Sequence, residues 1–391
     1  MKTPRSSLSD LVRRTQATAR AATTPPARPL QELTGFGSDP GSLRGLAYVP
    51  DGLPDGAPLV VALHGCTQTA AAYDRGCGWS DLAERMGFAL LLPEQRRANN
   101  ANLCFNWFEP GDVSRDQGEA ASIRQMVAAM LERHRLDPRR VFVTGLSAGG
   151  AMTAALLAAY PDVFAAGGIV AGLPHGAASG VTEAFEAMGG GRDRPAGAWA
   201  EAARAASPAA AQGQGWPRVT IWHGDADRTV AVKNAAALAA QWVGLHGLPV
   251  APDRRESQGV DTCLQWRGRD GRVAVECHIV AGMGHGVPLR PGSESGQSGE
   301  AAPYLLDVGL SSSHAIAAFW GLAERPGWKP APRPANDPVS PWPDAIPASL
   351  PTGLPSGLPT GLPGMAAEAT AGRDPGSVIR RALTAAGLMR P

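Results

Sequence analysis

Six short apolar runs punctuate the middle of this chain, each bounded by glycine or proline: LVVALHG (59–65), FALLLPE (88–94), RVFVTG (140–145), GGIVAG (167–172), VTIWHG (219–224) and VAVECHIV (273–280). Runs of this kind, apolar without polar alternation, are what strands buried on both faces require. Helical segments lie between them. In residues 118–136, Ile123, Met126, Val127, Met130 and Leu131 recur at helical spacing, and Gly150 to Tyr160 reads as a second helix of small residues. The alternation predicts the α/β class, a doubly wound and mostly parallel sheet with helices on both faces. This catalytic-sized unit spans 43–322.

The flanks read differently. Residues 1–42 form an N-terminal arm, partly disordered or helical, with a short amphipathic helix around Leu8 to Ala21. Residues 323–391 are a Pro/Gly-rich linker carrying the repeat TGLP-SGLP-TGLP (352–363), followed by a short C-terminal helix with Val378, Ile379, Leu383 and Leu388 partly on one face. Both flanks are expected to be flexible tails. Within the unit, the Ala/Gly-rich stretch 174–215 reads either as a cap over the carboxyl end of the sheet or as a loose surface insertion.

Bulk properties narrow the partners. A formal net charge of +1, with 44% hydrophobic and 18% charged residues, argues against global disorder and against a nucleic-acid partner. No run of about 18 apolar residues is present, so no membrane-spanning helix is expected. The N-terminal segment contains Arg13 and Arg14 but no following apolar stretch, so no cleavable export signal is read there. The five cysteines lack CxxC spacing, which gives no sequence sign of a zinc or redox motif.

The chemistry begins where RVFVT runs into Gly145-Leu146-Ser147-Ala148-Gly149-Gly150 and then a helix. GxSxG in a strand–turn–helix context is the nucleophile elbow of the α/β-hydrolase fold. The turn is so sharp that positions two before and two after the serine must lack side chains. Gly145 and Gly149 meet that demand, and the helix that follows aims its first amides at the reaction site.

Serine needs a base, and the base needs an orienting group. In this fold they follow in the order Ser, acid, His. Downstream, VTIW ends in His223-Gly224-Asp225-Ala226-Asp227, and VAVECHIV ends in Ala281-Gly282-Met283-Gly284-His285-Gly286. Asp225 and Asp227 compete for the acid. The form HGxxDxxV favours Asp227, with Asp225 structuring the turn. His285, between glycines at a loop tip, is the expected base. His278 lies inside a strand, His223, His134, His246 and His314 read as surface or packing residues, and His175 is a weaker rival. The first run ends in His64-Gly65-Cys66, where the fold supplies one oxyanion donor. The expected pair is the backbone amides of Cys66 and Ala148, each such donor being worth roughly 2.7–4 kcal/mol in the transition state. His64 is expected to orient this loop at the pocket's edge.

Taken jointly, LHGCTQ, CFNWF, GLSAGGAM, WHGDAD and GMGHGVP resemble the poly(3-hydroxybutyrate) depolymerase family of esterases over about residues 43–322. The resemblance implies Ser147, Asp227 and His285 as a triad acting on short-chain hydroxyalkanoate esters, polymeric or oligomeric. It implies an extracellular setting, against which the unread export signal leaves a cytoplasmic one. It also points to a Cys66–Cys104 bridge between the oxyanion and aromatic loops, with Cys263–Cys277 as a possible second pair and Cys77 free; in a reducing compartment all five would be thiols. Phe105, Trp107 and Phe108, after Cys104, read either as walls of an acyl pocket or as core.

The expected reaction is two-step acyl transfer, with no metal or organic cofactor required. Its expected partner is an ester or polyester substrate, which the tails would touch at a polymer surface. Two other readings stay open: a feruloyl or acetylxylan carbohydrate esterase, and a polyester-granule binding protein with a vestigial hydrolase core.

Overall fold

The computed structural model describes residues 29–190, 194–208 and 215–324. The amphipathic N-terminal segment, the TGLP repeat and the C-terminal helix lie outside the described residues. Six strands at the centre are parallel: β3 (Leu59–Leu63), β4 (Ala89–Glu94), β5 (Val141–Leu146), β6 (Ala166–Val170), β7 (Arg218–Gly224) and β10 (Val273–Val280). These correspond to the six apolar runs. Antiparallel strands extend both edges: β1 (Gln31–Leu33) and β2 (Arg44–Tyr48) beyond β4, and β9 (Asp261–Arg267) and β8 (Arg254–Gln258) beyond β10. The sheet order is β1-β2-β4-β3-β5-β6-β7-β10-β9-β8. A separate two-stranded parallel sheet pairs β11 (Val287–Leu289) with β12 (Leu305–Asp307). Strand β1 falls inside the stretch read as an arm, because it pairs with β2 and buries Leu33.

Strand alternation divides the core in two. Val61, Leu63, Val143, Ile169, Ile221 and Val275 face one layer, while Val60, Ala62, Phe142, Val170, Trp222 and Val280 face the other. The first layer is closed by helices α4 (Gly118–Arg133), α5 (Ala148–Ala159) and α8 (Lys233–Leu245), the second by α1 (Ala70–Cys77), α2 (Trp79–Met86) and α9 (Ser312–Phe319). The face of α4 is the predicted one, with Ile123, Met126, Val127 and Met130 buried and Leu131 partly so. Every residue of α5 is buried, the state expected of a helix apolar all round. Among the described residues no helix is long and apolar enough to cross a membrane.

Of the two helices described in the stretch 174–215, one fits the cap reading and the other fits neither reading, since it is packed into the core through Ala200 and Ala203. Helix α6 (Val181–Met188) overhangs the carboxyl end of the sheet and lines a cavity there. Helix α7 (Ala196–Arg204) instead docks on α8, where Gln241 Nε2 donates to Trp199 O at 2.9 Å and Arg204 Nη2 donates to Gly244 O at 2.8 Å.

One buried acid pins the loop between β4 and α4. Short helix α3 (Pro110–Val113) interrupts that loop, and Glu119 at the start of α4 accepts from Asn106 N at 2.9 Å and from Gln95 Nε2. Burial pushes the Glu119 carboxyl up to about 8; nearby Asp112 adds to the rise, and the two donors oppose it. An unfolded glutamate titrates near about 4.3. Between those values the folded chain holds a proton that the unfolded chain has released, so this group's contribution to stability falls as pH rises across that window. Urea midpoints of the wild type and Glu119→Gln, compared from pH 5 to 8, should show a smaller decline in the variant; parallel profiles would contradict this.

Candidate active site

The carboxyl ends of β3, β5, β7 and β10 bring the predicted residues to one side of the sheet, as open α/β folds do. Ser147 caps α5 with φ 57° and ψ −117°, a backbone region that non-glycine residues occupy at a cost of order 1–3 kcal/mol. Close packing holds it there. A Cβ on Gly145 would stand 2.4 Å from Gly149 O, and one on Gly149 would stand 2.4 Å from Leu63 O. Ser147 N donates to Val170 O at 2.9 Å, tying the elbow to β6.

Asp227 and His285 meet across the next two loops. His285 Nδ1 lies 2.7 Å from Asp227 Oδ2, so Nδ1–H donates to the carboxylate and Nε2 is left as the acceptor. The other carboxylate oxygen accepts from Thr229 N at 2.8 Å and Val230 N at 2.9 Å. The Asp227 side chain is wholly buried. Burial opposes its ionisation, but hydrogen bonds from His223, His285 and Val230 outweigh that and hold the carboxyl well below the usual carboxylate range. Asp225 is exposed and does what a turn residue does: its Oδ1 accepts from Gly282 N at 2.6 Å, stitching the β7 loop to the loop of His285.

Ser147 and His285 line one cleft together with Gly65, Gln68, Thr229 and Tyr304. An adjoining cleft of about 500 Å³, counted out to open solvent, is walled by Trp107, Phe108, Leu173, Phe185, Met188 and Val230 and also reaches Ser147, Cys66 and Ala148. Two expectations part company here. Trp107 and Phe108 line the cleft, whereas Phe105 is fully buried in the core against the ring of His64.

His64 does not border the pocket. It is wholly buried, its Nε2 accepts from Gln95 N at 3.1 Å and its Nδ1 lies 2.8 Å from Gly65 O. A nitrogen that accepts from an amide carries no proton, so Nδ1–H must donate to Gly65 O, and burial lowers the imidazole pKa further. The ring is a neutral strut under the Gly65–Cys66 turn.

A disulfide joins Cys66 to Cys104, linking that turn to the aromatic loop. Thr67 N reinforces it by donating to Asn102 O at 2.7 Å, and Gln95 Nε2 donates to Cys104 O at 2.9 Å. The second pair is corrected: Cys263 and Cys277 are free thiols. Cys263 stands opposite His278 in the β9–β10 register, while Cys277 stands opposite Leu264. Alternation therefore sends the two sulfurs to opposite faces of the sheet.

Several residues at the site carried no legible signal. Gln68 Oε1 accepts from Gly65 N at 2.9 Å, Tyr304 sits edge-on to His285, and His223, read as surface or packing, lies buried beside Asp227, with Nε2 2.8 Å from Val230 O and 3.4 Å from Asp227 Oδ2. His175 is held at both backbone ends by Gln241, away from the cleft. Of these, Gln68 and His223 stood in quoted motifs, LHGCTQ and WHGDAD.

Peptide mapping of unreduced, denatured protein should give one linked pair, Cys66–Cys104, with Cys77, Cys263 and Cys277 alkylated. Closing the loop between them should stabilise the fold by about 2–4 kcal/mol. A Cys263–Cys277 peptide would contradict the register.

Comparison with known proteins agrees with this architecture. The family model described as Esterase PHB depolymerase matches residues 45–262. The chain is 45% identical over 293 residues to "Poly(3-hydroxyalkanoate) depolymerase C" of Paucimonas lemoignei, covering 75% of this chain and 70% of that one. It is 33% identical to the "Acetylxylan esterase" of Coprinopsis cinerea, over 70% of this chain and 73% of that one. Among solved structures, the acetyl xylan esterase from Aspergillus awamori superposes with a TM-score of 0.59 at 28% identity, covering 66% of this chain and 94% of that one. With its mostly parallel sheet, its elbow at Ser147 and more than half its length matched, the chain belongs to the Esterase PHB depolymerase family of α/β-hydrolase esterases.

Proposed function

We propose that this esterase hydrolyses short-chain hydroxyalkanoate esters, poly(3-hydroxybutyrate) or its oligomers, through Ser147, His285 and Asp227. The observation that carries the reading is the pairing of His285 Nδ1 with the buried Asp227 carboxylate at 2.7 Å, beside a cleft that His285 shares with Ser147. Ser147 Oγ attacks the ester carbonyl while His285 Nε2 takes its proton. The oxyanion is met by the amides of Cys66 and Ala148, and the leaving alcohol receives the proton from His285. Water then repeats the sequence and releases the acid. Asp227 keeps its charge throughout, so it orients the ring and stabilises the imidazolium.

The cleft supports the substrate class. Among the described residues its walls are aromatic and aliphatic and carry no charge, which suits a neutral, compact acyl unit. The name of the relative from Paucimonas lemoignei favours the same class. A carbohydrate-linked acyl ester is the second reading, favoured by the acetylxylan esterases among the relatives and by the structural match. The strained, glycine-packed elbow and the paired histidine and aspartate weigh against a vestigial core, since strain of that kind persists where it serves chemistry.

Release of 3-hydroxybutyrate from amorphous poly(3-hydroxybutyrate) should occur with the wild type and fall by several orders of magnitude in Ser147→Ala, whose fold should persist. Turnover of acetylated xylan or a feruloyl ester, with none of the polyester, would move the substrate to carbohydrate esters. Equal rates for wild type and variant would overturn the role of Ser147.

A further inference from the structure

Away from the clefts at Ser147, the outer ribbon of the sheet gathers three polar groups on one face. Cys263 and His278 are direct cross-strand partners on β9 and β10, and Glu276 lies two residues before His278, on the same face. Cys263 Sγ is 3.6 Å from His278 Nε2, and that nitrogen is 3.3 Å from Glu276 Oε1. The donor atoms of all three lie within 4.8 Å of one another.

We propose that Cys263, Glu276 and His278 form a zinc-binding site that clasps β9 to β10. Tetrahedral zinc, with bonds of about 2.3 Å to sulfur and about 2.0–2.1 Å to nitrogen and oxygen, separates its ligands by about 3.5 Å for S···N and about 3.3 Å for N···O. The two spacings at His278 Nε2, 3.6 Å to sulfur and 3.3 Å to oxygen, already match. His278 Nδ1 lies 2.8 Å from Asp261 Oδ2, the carboxylate–histidine arrangement that fixes a metal-binding imidazole with Nε2 facing the ion. The ring is also stacked on Trp222, with centroids 3.7 Å apart and planes 2° from parallel. Its orientation is thus set from two directions before any ion arrives.

One further observation fits a bound cation. Glu276 and His278 are buried and Cys263 is half-exposed, so ligands are sheltered while a path from solvent stays open. On binding, the Cys263 thiol proton passes to solvent as the Zn–S bond forms. One thiolate and one carboxylate then balance the charge of the ion. Sequence spacing could not reveal this set, because strand pairing and not a CxxC run brings it together.

The test uses the full-length chain, stripped with chelator and titrated with cobalt(II) and then zinc(II). One ion per chain, a thiolate-to-cobalt charge-transfer band in the near ultraviolet, and a zinc-dependent rise in Tm are expected. Cys263→Ser should remove the band and weaken zinc binding at least about tenfold, as should Glu276→Gln for binding, while Cys277→Ser retains both. Circular dichroism would establish that each variant is folded. Absence of the band, its survival in Cys263→Ser, or equal zinc affinity in wild type and Cys263→Ser would overturn the proposal.

Discussion

Everything at the site depends on backbone packed directly against backbone at the turn after β5. The left-handed conformation of Ser147 is unfavourable alone, and it persists because Gly145, Gly149 and Gly150 let α5 settle onto β3 and β6 at distances no side chain would tolerate. A wholly buried α5 supplies the apolar contact that holds this arrangement closed. The elbow then fixes where the proposed oxyanion amides and the proposed base must arrive, since both are defined relative to one serine.

The surrounding loops are held by polar groups that keep one protonation or charge state. Asp227 stays anionic because three donors converge on it with His223 close by, and His64 stays neutral because an amide occupies Nε2. The disulfide joins the turn that His64 supports to the aromatic loop that Glu119 anchors. Loops separated widely in sequence are thereby tied in pairs beside an apolar cleft, the Cys66 turn to the Cys104 loop and the Asp227 loop to the His285 loop. Preorganisation of that kind is where the largest part of acyl-transfer catalysis resides.

Much of this was legible in the sequence because burial on both faces writes itself as a continuous apolar run. The six parallel strands carry that signature. The edge strands do not: in β8 every residue of RRESQ is exposed, and most of β9 is only half-buried, so neither periodicity nor composition marks them. The triad candidates were legible for a different reason, since glycine-flanked Ser147 and His285 sit at strand ends where the fold constrains chain order. His64 has the orienting role expected of it, and only its place at the pocket's edge is overturned, because its two backbone hydrogen bonds hold it buried under the turn. Cys263 and Cys277 misled because register, which decides the face, is invisible without β9.

The central claim is that Ser147, raised by its elbow and served by His285, is the reactive nucleophile. Labelling with a fluorophosphonate, followed by intact mass and peptide mapping, tests that without assuming a substrate. The account predicts one adduct per chain, on Ser147, that forms rapidly and is suppressed in His285→Ala. A folded chain that takes no label, or takes it on another residue, would contradict it.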